Sequence, residues 1–199
     1  MRAGCCKYDY MRAAIINNGA SSPDKILSLL DGASCEVVGY ADIAKLCTDD
    51  FDVLVLSGSS QFPVVYNREK LKDEIALIQT SNIPVLGICY GCELIAVAFG
   101  GSLRDRGEGS QKRDSVEVEV VADNPLFLGR RQFEVYDAHR WAIDTVPPDL
   151  QILARSIHGP EVIRHRSRPI YGFQFHPEKM LEQTFGDELF RSFLKLEVR

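Results

Sequence analysis

Three side chains in this sequence have the types and settings that nucleophilic catalysis requires: Cys89, His176 and Glu178. Cys89 sits in Gly87-Ile88-Cys89-Tyr90-Gly91, directly after the apolar run that begins at Pro84. A strand that stops at a cysteine between glycines and passes into a helix has the form of a nucleophile elbow. The helix start supplies a dipole and free N–H groups, which favour a thiolate and can hold an oxyanion. His176 and Glu178 close the run Tyr171-Gly172-Phe173-Gln174-Phe175-His176-Pro177-Glu178. Residues i and i+2 of an extended segment share a side, and Pro177 keeps the backbone extended between them. A carboxylate beside an imidazole selects its tautomer and stabilises the imidazolium. Nucleophile, base and orienter together would form an acyl-transfer site. Taken singly, Cys89 also reads as a small buried residue and His176 as a satisfied structural histidine.

These groups need elements that hold them. Arg12–Ile16 reads as a buried strand ending at Asn17-Asn18-Gly19, and Ser22-Pro23 opens a helix bearing Ile26, Leu27, Leu29 and Leu30. Cys35–Val38 and Asp52–Ser57 read as strands, the second with the continuous apolar character of a strand covered on both faces. A helix is expected around Arg68–Gln79, then the strand Pro84–Ile88 and a helix over Tyr90–Phe99 that is apolar nearly all round. Strands alternating with helices predict an α/β fold, a mainly parallel central sheet with helices on both faces. The second half changes: Val116–Val120 alternates strictly, short strands follow near 133–136, 151–154, 162–165 and 170–175, and Gly186–Leu196 closes as an amphipathic helix. These are expected as extra antiparallel strands. Residues 1–10 read as a poorly ordered lead-in and 11–199 as one domain.

Composition narrows the function classes. The chain has 199 residues, 45% of them hydrophobic, enough for a sizeable core. A net charge of −5 argues against nucleic acid or an anionic membrane as general partners. No apolar run approaches the roughly 20 residues of a bilayer span, and Met1–Tyr10 has no apolar signal core. Six cysteines without such a signal fit free thiols in a reducing, cytoplasmic setting. Cys5-Cys6, Cys35 and Cys47 lack ligands at zinc spacing, so no metal is expected. Cys89-Tyr90-Gly91-Cys92 is also a C-x-x-C, which raises a thiol–disulfide switch. His139, His158 and His165 read as surface or satisfied residues, and Arg164-His165-Arg166-Ser167-Arg168 as a basic hairpin turn or a docking site for an acidic surface or a phosphate.

The cysteine elbow and the Gly172–Glu178 block together resemble the signature blocks of the class I, triad-type glutamine amidotransferases. The resemblance spans about residues 12–196 and includes Leu56-Ser57-Gly58 after the third strand. It implies attack by Cys89 on the glutamine side-chain amide, proton shuttling by His176, and orientation of His176 by Glu178. It also implies an oxyanion hole from the backbone N–H groups of Tyr90 and the Gly58/Ser59 loop, no cofactor, and a separate synthetase subunit that accepts ammonia. Within the family the nearest look is to the glutaminase subunits of GMP synthases, through Ile152–Ser156, Arg168–Gly172 and Thr184–Phe190. Asp114 and Ser115 fall where the family uses backbone groups to hold glutamine. Three departures stand out. Glu93 replaces the usual glutamine four residues after the cysteine, where the substrate's amino-acid end is held. Ser57-Gly58-Ser59-Ser60 replaces Ser-Gly-Gly-Pro, and Ala138-His139-Arg140-Trp141-Ala142 replaces the loop Ser-His-x-Asp-Glu that faces the synthetase. They leave two alternatives open: a stand-alone γ-glutamyl hydrolase or peptidase, and a catalytically silent regulatory subunit.

Overall fold

The computed structural model describes residues 11–20, 23–110 and 114–198; the expected lead-in at residues 1–10 lies outside them, as does Ser22. The apolar run after Met11 forms β1 (Arg12–Asn17), followed by α1 (Asp24–Leu29) with Pro23 just before it. Then come β2 (Ser34–Gly39), β3 (Val53–Leu56), α2 (Lys72–Thr80), β4 (Val85–Ile88) and α3 (Tyr90–Ala98). The second half runs β5 (Ser102–Asp105), β6 (Asp114–Val120), β7 (Gln132–Asp137), β8 (Trp141–Thr145), β9 (Leu150–Ser156), β10 (Gly159–His165), β11 (Ile170–Phe173) and α4 (Gly186–Glu197).

The main sheet has the order β2-β1-β3-β4-β11-β10-β9-β6-β7. From β2 to β11 the neighbours are parallel, and from β11 to β7 they are antiparallel. Alternation explains the two layers. Ala13 and Ile15 of β1, Val53 and Val55 of β3, and Leu86 and Ile88 of β4 pack on one face with residues of α1 and α4. Ala14, Ile16, Leu54, Leu56 and Val85 pack on the other with residues of α2 and α3. Strands covered on both faces must be apolar throughout, as these are. Helices therefore flank both faces, as expected. Among the described residues no helix is long and apolar enough to cross a membrane.

Two differences from the sequence reading bear on the site. β5 and β8 form a separate antiparallel ribbon, which the sequence reading did not anticipate. The strand expected to deliver His176 ends at Phe173, and a bend at residues 174–175 leads on to His176. β4 and β11 lie side by side with Gly87 opposite Gly172 and Ile88 opposite Phe173. The elbow and the histidine segment therefore leave the same edge of the sheet.

Candidate active site

Cys89 is held at φ 49°, ψ −101°, a left-handed conformation that a non-glycine residue adopts only when its surroundings impose it. Its N–H donates to Phe173 O (2.7 Å), and its carbonyl accepts from the Glu93 N–H (3.0 Å), which opens α3. The flanking glycines are sterically required. A Cβ on Gly91 would lie 2.5 Å from Leu56 O, and one on Gly87 would collide with the Gly91 carbonyl. Gly58 packs closely against both nucleophile and base: a Cβ there would lie 3.1 Å from His176 Cε1 and 3.9 Å from Cys89 Cβ.

The His176 N–H donates to Tyr136 O on β7 (3.1 Å), which anchors the bend. His176 Nδ1 lies 2.8 Å from Glu178 Oε1. Glu178 is buried; burial pushes its carboxyl up, but the bond and charge of His176 outweigh that and hold it below the ordinary value. An ionised carboxylate only accepts, so Nδ1 carries the proton and Nε2 is left as the base. The Cys89 thiol is pushed well up by burial, then by Glu93, Glu178 and Cys92, while the Tyr90 N–H pulls the other way. The helix-start effect expected to lower it is thus outweighed.

A cleft of about 350 Å³ opens onto Cys89 and is lined by Ser59, Ser60, Phe62, Tyr90, Glu93 and His139, with Tyr66, Asp105, Arg140 and Trp141 towards its mouth. Tyr66 is 76% exposed and meets Trp141 edge-on, with ring centroids 6.0 Å apart. Arg140 is fastened to Asp105 (2.6 and 2.9 Å). Glu93, in the first turn of α3, is buried and accepts from Gln174 Nε2 (3.2 Å). Burial raises its carboxyl to about 7, against the opposing pull of His139 and Gln174.

The structure places Cys89, Tyr90, Ser59 and Glu93 in one cleft, with Gly58, His176 and Glu178 beside it. Asp114 and Ser115 line a neighbouring cavity with Arg106, Asp137 and His158 instead. Their strand lies beside β7, with Ser115 opposite Tyr136, whose carbonyl holds His176. His139 is buried in a network that sequence reasoning missed. Its Nδ1–H donates to Trp141 O (2.6 Å), and Nε2 lies 3.1 Å from Asp137 Oδ1 and 3.9 Å from Glu161 Oε1. Arg106 Nη1 donates to Asp137 Oδ2 (3.2 Å) and to His139 O (2.9 Å). Burial works against a charged His139, but Glu161 and Asp137 outweigh it and raise its pKa.

Cys92 is fully buried, with its Sγ 2.6 Å from where a Cβ on Gly172 would be, and Cys89 and Cys92 are both free thiols in this structure. The basic run is the β10–β11 turn: Arg166 Nε donates to Pro148 O (2.8 Å), Arg168 Nη1 to Gln79 O (2.6 Å), and His165 Nδ1 accepts from the N–H groups of Ser167 and Arg168.

Comparison with known proteins gives a consistent picture. The sequence model of the family Glutamine amidotransferase class-I matches residues 14–196. A glutamine-hydrolysing GMP synthase subunit of Pyrococcus abyssi is 36% identical over 145 residues, 72% of this chain and 74% of that protein. The corresponding GMP synthase subunit of Methanocaldococcus jannaschii is 35% identical over 188 residues, 92% of this chain and 95% of that one. Among solved structures, a Thermoplasma acidophilum protein assigned provisionally to the GMP synthases superposes with a TM-score of 0.80 at 29% identity, covering 93% of this chain and 92% of that one.

Proposed function

This chain belongs to the class I glutamine amidotransferases, and we propose from that membership that it hydrolyses the glutamine side-chain amide at Cys89 and hands the ammonia to a separate synthetase subunit of the GMP synthase type. The observation that carries the reading is the His176–Glu178 pair at 2.8 Å, with Gly58 packed against both His176 and a cysteine in an elbow conformation. His176 Nε2 takes the Cys89 proton as sulfur attacks the amide carbon. The oxyanion that forms is held by the N–H groups of Tyr90 and the Gly58/Ser59 turn. The C–N bond breaks as His176 returns its proton to nitrogen, ammonia leaves, and a thioester remains. Water, deprotonated by His176, attacks the thioester; glutamate departs and the thiol is restored.

Glu93 takes the substrate's amino-acid end, its carboxylate matched to the α-ammonium, and Asp114 and Ser115 remain candidates for backbone contacts to it. The Methanocaldococcus jannaschii relative, which this chain matches over 95% of its length, is named as one subunit of a GMP synthase, and that supports an acceptor on another polypeptide. We place the reaction in the cytoplasm, where the thiols stay reduced. The test is ammonia release from glutamine, with and without an added GMP synthase synthetase subunit. Release by the wild type and its loss in Cys89→Ala is the expected result; no release in either setting overturns the proposal.

One observation favours a second reading, a γ-glutamyl hydrolase: the cleft lining includes an aromatic pair, exposed Tyr66 against half-buried Trp141, that a glutamine alone does not need. Better turnover of γ-glutamyl anilide than of glutamine would select it.

A further inference from the structure

Behind the cleft floor lies a carboxylic acid that the reaction above does not use. Glu74, on α2, is 1% exposed, and among the described residues it has no ion-pair partner. Burial raises its carboxyl to about 7 against the pull of its bond from Asn18. A buried carboxyl group without a countercharge is unfavourable, and an apolar side chain of that size would fill the site without the penalty.

What Glu74 touches leads to the oxyanion hole. Asn18 Nδ2 donates to Glu74 Oε1 (2.9 Å). The Asn18 N–H donates to Ser57 Oγ (2.9 Å), and the Ser57 hydroxyl donates to Gly58 O (2.9 Å). Asn18 and Ser57 are both fully buried, so no water competes for these bonds. The chain of bonds ends on the turn that packs against both His176 and Cys89. On its other side Glu74 is the charge that acts most on the Tyr90 hydroxyl, which, like Glu74 Oε2, is buried without a partner. Tyr90 contributes the second N–H of the oxyanion hole, and its ring is held edge-on to Phe62 with centroids 6.0 Å apart. One buried acid therefore stands behind the Gly58–Ser59 half of the hole, and its charge reaches the side chain of Tyr90 on the other.

We propose that Glu74 is a positioning residue for the oxyanion hole, acting through Asn18 and Ser57 to fix the Gly58–Ser59 turn. This rests on the glutaminase reading above. Ser57-Gly58-Ser59-Ser60 lacks a second glycine and a proline, and the buried bonds give the turn a rigidity that its own residues do not supply.

The test compares Glu74→Met, which fills the space without an acceptor, with Glu74→Gln, which keeps Oε1 for Asn18. Removing an oxyanion donor costs about 100- to 1,000-fold in kcat, so a displaced one should cost on the order of 10- to 100-fold. Glu74→Met should therefore lose kcat for glutamine by that factor with KM nearly unchanged, and Glu74→Gln should recover most of it. Alkylation of Cys89 by iodoacetamide, which needs a thiolate but no oxyanion donor, should proceed at the wild-type rate in both. Should Glu74→Met fail to fold, Ser57→Ala breaks the same chain of bonds and should show the same split. Wild-type kcat in Glu74→Met, or in Ser57→Ala where that variant replaces it, overturns the proposal. So does a parallel fall in kcat, glutamine affinity and alkylation. A wild-type protein that releases no ammonia refutes the glutaminase reading itself, so the two failures are distinguishable.

Discussion

Replacing Glu93 by glutamine should stabilise the protein in a pH-dependent way, and the size of the effect follows from its burial. The Glu93 carboxyl is 4% exposed and is raised from its ordinary 4.5 to about 7, mainly by burial. Between those values the folded state binds a proton that the unfolded state has released, so stability falls as pH rises through the window. Each pKa unit corresponds to about 1.4 kcal/mol, so the full loss above pH 7 is about 3 kcal/mol. Glutamine has no charge to bury and keeps an acceptor for Gln174 Nε2. Wild type and Glu93→Gln should therefore be equally stable near pH 4.5, diverge through pH 6, and differ by about 3 kcal/mol at pH 8. Urea denaturation of both proteins at four pH values measures the difference directly. The same substitution removes one of the charges that hold the Cys89 thiol up, so iodoacetamide should label Cys89 faster at pH 8. A stability difference that does not change between pH 5 and pH 8 refutes the reasoning, because it would mean that Glu93 titrates alike in both states.

Gly91→Ala should lose activity and about 3 kcal/mol of stability in urea denaturation, since its Cβ would press on Leu56 O at 2.5 Å and neither backbone can retreat. Glu178→Gln should leave binding of glutamine largely intact and lower kcat by roughly 1,000-fold, because an amide no longer fixes the His176 tautomer; steady-state kinetics separates the two effects. His139→Leu should destabilise the fold by about 3 kcal/mol, leaving Asp137 and Glu161 with less countercharge. Because the His139 pKa is raised in the folded state, that loss should be largest below the ordinary histidine pKa and shrink as pH rises through the folded value; denaturation at pH 5.5 and pH 9 tests it.

The parallel strands and the elbow were legible because each rests on local pattern: β3 and β4 are continuous apolar runs, and Gly87 and Gly91 admit nothing larger. The β5–β8 ribbon was not legible. Its strands are four and five residues long, and Ser102–Asp105 alternates no apolar face that would mark it. The His176–Glu178 pairing was expected from a strand and arises from a bend, since Pro177 constrains the same neighbourhood once pairing has stopped at Phe173.

The buried acids are the more instructive omission. An acidic residue read alone is assumed to face water. Yet Glu93 lies in a helix whose other positions are apolar nearly all round, which leaves that helix no solvent face to offer it. Glu74 is three residues after Leu71 and four before Ile78, so it shares their helical stripe, and Leu71 and Ile78 are both buried. In both helices the apolar pattern already required the acid to be inside. What the pattern could not supply is the partner: Asn18 reaches Glu74 across 56 residues of sequence and Ser57 across 39, from the ends of strands that meet only in the sheet. A burial stripe interrupted by one acid is thus a legible sign of a buried polar network, while the identity of that network belongs to the tertiary fold.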